Sequence, residues 1–192
     1  MRQRGTMTGV VRTCGAASMA AMLLASSVAS AQEFQLVETT IDDVHVALTS
    51  GQISCQDIVQ RYLDRIAAYD QTGPALNAIQ TVNPAALREA QRLDATLATS
   101  GLAGPLHCIP VLLKDQVETR DMPTTYGSAL FRDFVPRRDA TIVTRMKNAG
   151  AIILAKTNMG EFASRYVGSA FGIIRNAYDP TRNPSGSSGG TG

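Results

Sequence analysis

Ile109-Pro-Val-Leu-Leu113 and Ala151-Ile-Ile-Leu-Ala155 are two short apolar runs, the first followed at once by Lys114-Asp115 and the second by Lys156. Runs of this length, bounded by turn residues, read as strands buried on both faces. Pro110 falls at the start of the first, where a missing N–H is tolerated. Between the runs, Met122-Pro-Thr-Thr-Tyr-Gly127 reads as loop. Asp139 reads as the cap of a helix with Ile142, Val143, Met146 and Ala149 inward, closed by Gly150. Strand, helix, strand predicts a βαβ unit, and so a parallel pair in an α/β layer fold. The chain just after Lys114 and Lys156 then lies at the carboxyl ends of neighbouring strands, where open α/β sheets place their sites.

Upstream the period changes to that of helices. Thr40-Ile-Asp-Asp43 opens a helix as a capping box, with Asp43 in place of the usual Glu. Ile41, Val44, Ala47 and Leu48 form its apolar stripe and Gly51 stops it. Ser54-Cys-Gln-Asp57 repeats the device before Ile58, Val59, Tyr62, Leu63, Ile66 and Tyr69, and Gly73-Pro74 breaks the pattern. Asn83-Pro84 predicts a third helix with Pro84 at its first position, Leu87, Ala90, Leu93 and Leu97 on its face, and Gly101 at its end. Three amphipathic helices need a sheet or further helices to cover.

Composition bounds the rest. The chain has 192 residues, is 44% apolar and carries a formal charge of +2, which suits one globular domain or part of one. Residues 1–31 read as an export signal: Arg2, Arg4 and Arg12 first, then an apolar run from Gly15 to Val28, then Ala29-Ser-Ala31 as a cleavage site. Cleavage there removes three arginines and no acidic residue, so the charge becomes −1 over 161 residues. Nothing in that balance points to nucleic acid, and the apolar run is short for a membrane span. Cys55 and Cys108 could pair in an oxidising compartment, but in a chain this apolar they read as separate buried thiols. His45 and His107 have no Cys or carboxylate at ligand spacing, so no metal site is expected.

Chemistry-bearing residues concentrate at the two lysines and at Asn183-Pro-Ser-Gly-Ser-Ser-Gly-Gly-Thr-Gly192. The Gly/Ser run reads either as a flexible linker or as a tight loop holding hydroxyls near the main chain. A lysine ending an apolar strand either snorkels to water or is held back as a base. A base at neutral pH needs an uncharged amine, a change of roughly three pH units from about 10.4, or about 4 kcal/mol. A serine within reach of such an amine becomes a proton relay or a nucleophile, and Ser-Lys sets need no histidine. These considerations leave Lys114 and Lys156 both open.

The ordered set of motifs narrows this. Gly104-Pro-Leu-His-Cys-Ile-Pro-Val-Leu-Leu-Lys-Asp115, Met122 to Ser128, Asp139-Ala-Thr141, Gly150 to Met159, Glu161-Phe162 and Asn183 to Gly192 together resemble the amidase signature family. The likeness runs from about Thr40 to the end. It implies a mixed β-sheet core flanked by helices, with an amino-terminal helical lead-in, and a Ser–cis-Ser–Lys triad that hydrolyses carboxamides or passes the ammonia on. It places the base at Lys114 and the cis-serine at Ser187, with Ser188 a possible supporting hydroxyl, and leaves Lys156 outside the catalytic set. It implies no cofactor and a small-molecule amide as the partner. The family's nucleophilic serine and oxyanion hole lie downstream of Gly192, so residues 32–192 read as the amino-terminal part of one amidase domain, expected to be inactive alone. Position 108 is Cys where the family usually has Gly, and position 185 is Ser where Gly is common. Two other readings stay open. One is a protein like the A component of glutamyl-tRNA amidotransferase, against which the export signal argues. The other is a non-catalytic binding module with the Gly/Ser run as an anion nest.

Overall fold

A computed structural model describes Met1, Gly5, residues 34–165 and residues 167–192. The predicted export signal therefore lies, but for Met1 and Gly5, outside the described residues. Within the unit Gln32–Gly192 the elements run α1 (Ile41–Thr49), α2 (Cys55–Tyr69), β1 (Ile79–Val82), α3 (Ala86–Ser100), β2 (Pro110–Lys114), α4 (Thr141–Asn148) and β3 (Ile152–Thr157). Short 3₁₀ turns occupy Ala129–Phe131 and Glu161–Ala163.

Both capping boxes form. Thr40 Oγ1 accepts from Asp43 N and Ser54 Oγ from Asp57 N, while each aspartate returns a bond to its cap backbone. Each such cap stabilises its helix by about 1 kcal/mol. A further carboxylate from α3, Asp94, accepts from Cys55 N at 2.7 Å and Gln56 N at 3.1 Å, so α2 starts on two sets of acceptors. The third helix starts later than the Asn83-Pro84 signal predicts. Its cap is Ala85, with no side-chain bond. Asn83 instead splits its amide, donating to Ile153 O and accepting from Ala85 N, which ties the turn to the sheet.

The sheet has three strands in the order β1-β3-β2. β2 and β3 pair in parallel across the α4 connection, as the βαβ pattern predicts. β1 pairs with β3 antiparallel, which makes the sheet mixed. β1 went unforeseen because Ile-Gln-Thr-Val is four residues long and half polar, too short to show a period. One face of the sheet packs Ile152 and Leu154 against Ile58 and Val59 of α2 and Ala86 and Ala90 of α3. The other packs Leu113 and Ile153 against Val143 of α4 and Met122. Along α4 the predicted stripe is only partly correct: Val143 is buried, but Ile142 is exposed because the helix turns that side to solvent. Nor does Asp139 cap α4; the cap is Ala140, with no side-chain bond. Asp139 is drawn away by Arg120 N and the Lys147 amine.

The reading of Cys55 and Cys108 as separate thiols is overturned: they form a disulfide, with Cα atoms 5.6 Å apart. The physical reason lies in the backbone. Cys108 has φ of +61°, in the left-handed region that favours glycine. That turn aims its side chain at the first residue of α2, which no sequence pattern reveals.

Candidate active site

The sheet delivers both lysines to the carboxyl end of their strands and then separates them by face. A register shift between Val111 and Leu112 places an extra residue in β3, so that Leu113 pairs with Lys156 and Lys114 with Thr157. Register partners in a parallel ladder point to the same side. Lys156 therefore follows Leu113 into the buried layer, and Lys114 shares the opposite side with Thr157.

Lys114 Nζ donates to Ser187 Oγ at 2.8 Å, across 73 residues of sequence, and the contact is part-buried. The two residues that the resemblance pairs are thus brought together. Ser188 is not: it is exposed, and among the described residues its hydroxyl meets neither partner of the pair. Its carbonyl accepts from Thr191 N and Gly192 N, closing a turn just after Ser187. So the Gly/Ser run is a structured loop, not a linker.

The loop rests on the end of β3. Gly190 N donates to Asn158 O at 3.1 Å, Gly160 N to Ser187 O at 3.3 Å, and the hydroxyls of Thr157 and Thr191 lie 2.7 Å apart. A Cβ at Gly190 would sit 2.2 Å from Ala78 O, so only glycine lets the loop approach this closely. Asn158 extends the seat, donating to Asn77 O and accepting from Ser169 Oγ. Sequence reasoning missed Thr157 and Thr191 as parts of this seat. The signal was available only as strand parity, one residue beyond a lysine, and the bulge hides that parity.

The implied cis peptide before Ser187 is corrected. None of the described peptide bonds is cis. The loop reverses instead through Ser185 and Gly186, with φ of +63° and +57°.

Lys156 has a different environment. Its amine is shut off from solvent, donates to Thr124 Oγ1 at 2.9 Å and Pro123 O at 3.2 Å, and lies 3.7 Å from Asp115 Oδ1. Burial pushes this amine down to about 8, against the pull of the Asp115 carboxylate. Asp115 Oδ2 accepts from Thr125 N and Thr125 Oγ1, while Oδ1 has no hydrogen-bond partner among the described residues. The pair straps the Met122–Gly127 loop beneath β2 and β3. It does not face Ser187.

A cleft of about 710 Å³ opens elsewhere, between Tyr62, Ile66 and Tyr69 of α2 and Ile79, Leu112 and Leu154 of the sheet. Neither Lys114 nor Ser187 lines it, although Leu112 lies two residues before Lys114 on the same strand. Among the described residues, no helix is long and apolar enough to cross a membrane.

Comparison with known proteins gives the family and the fold. The chain is 42% identical over 159 residues to the A subunit of the glutamyl-tRNA(Gln) amidotransferase from Acidothermus cellulolyticus, covering 81% of this chain and 31% of that protein. It superposes on the native peptide amidase of Stenotrophomonas maltophilia with a TM-score of 0.76 and 41% identity, over 80% of this chain and 33% of that one. An amidase family protein from Bacillus anthracis gives 0.76 and 35%, over 81% and 32%. The chain thus spans about a third of the length of these relatives. The sequence model of the Amidase family matches residues 57–192, and the chain belongs to that family.

Proposed function

We propose that the whole protein hydrolyses a carboxamide C–N bond through an acyl-enzyme, with Lys114 as base and Ser187 as relay. The observation that carries this is the 2.8 Å contact between the Lys114 amine and the Ser187 hydroxyl. With the amine uncharged, Ser187 passes it a proton taken from a nucleophilic serine, which the family resemblance puts downstream of Gly192. That serine attacks the amide carbonyl, and backbone N–H groups stabilise the oxyanion. The proton returns through Ser187 to the leaving nitrogen as the C–N bond breaks. Water then cleaves the ester by the reverse route.

In the whole protein, Lys114→Ala and Ser187→Ala each lower kcat by orders of magnitude and leave KM nearly unchanged, measured as ammonia release from a panel of carboxamides. A near-normal kcat in either variant overturns the assignment.

We also infer that the protein is exported. Support comes from the basic, apolar and small-residue order of residues 1–31 and from the Cys55–Cys108 disulfide, since disulfides persist in oxidising compartments. Amino-terminal sequencing of the cell-derived protein should begin at Gln32; an intact Met1 with free thiols at 55 and 108 refutes export. Amide transfer is the second reading, favoured by the 42% identity to an amidotransferase component. Ammonia delivered to a glutamyl-tRNA acceptor and not to solvent would select it.

A further inference from the structure

Thr157 is fully buried at the end of a strand whose other residues are Ile152, Ile153, Leu154, Ala155 and Lys156. Valine has the same shape and would suit a β-strand. The hydroxyl is therefore not needed for packing, and a buried hydroxyl without partners costs about 1–3 kcal/mol. Thr157 has partners. Its Oγ1 reaches Leu113 O at 3.4 Å and lies 2.7 Å from the Thr191 hydroxyl, a pair in which either oxygen can donate. Leu113 precedes Lys114, and Thr157 is the register partner of Lys114. Thr191 closes the turn on Ser188 O, just after Ser187. One hydroxyl thus touches the β2 segment that ends in the amine and the loop that carries the serine.

We propose that Thr157 is a positioning residue, whose hydroxyl fixes the separation between the Lys114 amine and Ser187 Oγ by anchoring Thr191. This rests on Lys114 and Ser187 forming the proton-transfer pair. The other anchors of the loop, Gly190 N to Asn158 O and Gly160 N to Ser187 O, are backbone bonds. They set where the loop lies along β3. The hydroxyl pair adds a side-chain tie between the loop and β3, beside the Lys114–Ser187 bond to β2.

The test uses the lysine side-chain amine resonances of this chain, labelled with ¹⁵N-lysine. There are three lysines, at 114, 147 and 156, so each signal is assigned by single substitution. Ser187→Ala should shift the Lys114 resonance and speed its exchange with water. Thr157→Val and Thr191→Val should each move it most of the way to the same position, and the double variant no further. Thr157→Ser should restore it. Lys147, in its separate pair with Asp121 and Asp139, should stay still, and an unmoved Lys156 signal shows that β3 is intact. Thr191 lies on an exposed turn, so its variant reports even if Thr157→Val fails to fold. If Ser187→Ala shifts the signal but Thr191→Val and Thr157→Val leave it at the parent position, Thr157 has no positioning role. If Ser187→Ala itself leaves it unmoved, the Lys114–Ser187 pair is refuted, and the proposal falls with it.

Discussion

The Lys156 amine and the Asp115 carboxylate lie 3.7 Å apart with both side chains at 0% exposure. Removing one partner from a buried pair strands the other charge and costs about 3–5 kcal/mol. Lys156→Met should therefore lower the unfolding free energy by that order, read from urea titration. The same residue gives a pH signature. An unfolded lysine titrates near 10.4, and the folded one near 8. Between those values the unfolded chain binds more protons, so stability rises with pH across that window. Lys156→Met should abolish the rise; an unchanged slope would show that the amine is not buried as described. Run length and charge left Lys114 and Lys156 equivalent, each a lysine ending an apolar run, and only the family motifs favoured Lys114. The bulge in β3 separates them, by turning one toward a carboxylate and the other toward a hydroxyl.

Among the elements, the start of α2 is the junction that holds β2 in place. Cys55, its first residue, is cross-linked to Cys108, two residues before β2 begins, and its N–H meets Asp94 of α3. The sequence separation is 53 residues, for which loop-closure entropy gives about 4 kcal/mol. Reduction should lower the unfolding free energy by up to that amount, read from denaturant curves with and without a phosphine reductant. Coincident curves would mean that the thiols are not joined. In a Cys55→Ala background, Cys108→Gly should be more stable than Cys108→Ala by about 0.5–1 kcal/mol, since φ there is positive. Asp94→Ala should cost about 1 kcal/mol by uncapping α2. The helices and the two long strands were legible because capping boxes and apolar periods are local. The disulfide was not, because it depends on where a single left-handed residue points.

Across the whole molecule, His107 links the helical lead-in to the sheet. Its carbonyl faces His45 Nε2 of α1 at 3.1 Å, its Nδ1 accepts from Ala103 N, and its buried Nε2 has no partner among the described residues. Burial, aided by His45 and opposed by Asp94, holds the imidazole below its ordinary value. The unfolded chain thus takes up a proton near pH 6.5 before the folded one does. Stability should fall as pH drops through that value, seen as a lower Tm at pH 5 than at pH 7. His107→Leu should flatten part of the decline, and an unchanged profile would assign the acid sensitivity elsewhere.

By itself the sequence determined the starts of α1 and α2, the presence of β2 and β3, their parallel pairing and the family motifs, because each of these is written in neighbouring residues or in their period; the burial expected of β2 fails at Leu112, which is exposed. Tertiary structure alone decided that the loop at Ser187 turns through Ser185 and Gly186 with every described bond trans, that Thr157 and Thr191 seat it, and that Cys55 reaches Cys108. Each depends on the register of one strand against another or on a single backbone dihedral. A shift of one residue in either would exchange the faces of the sheet while leaving every sequence pattern unchanged.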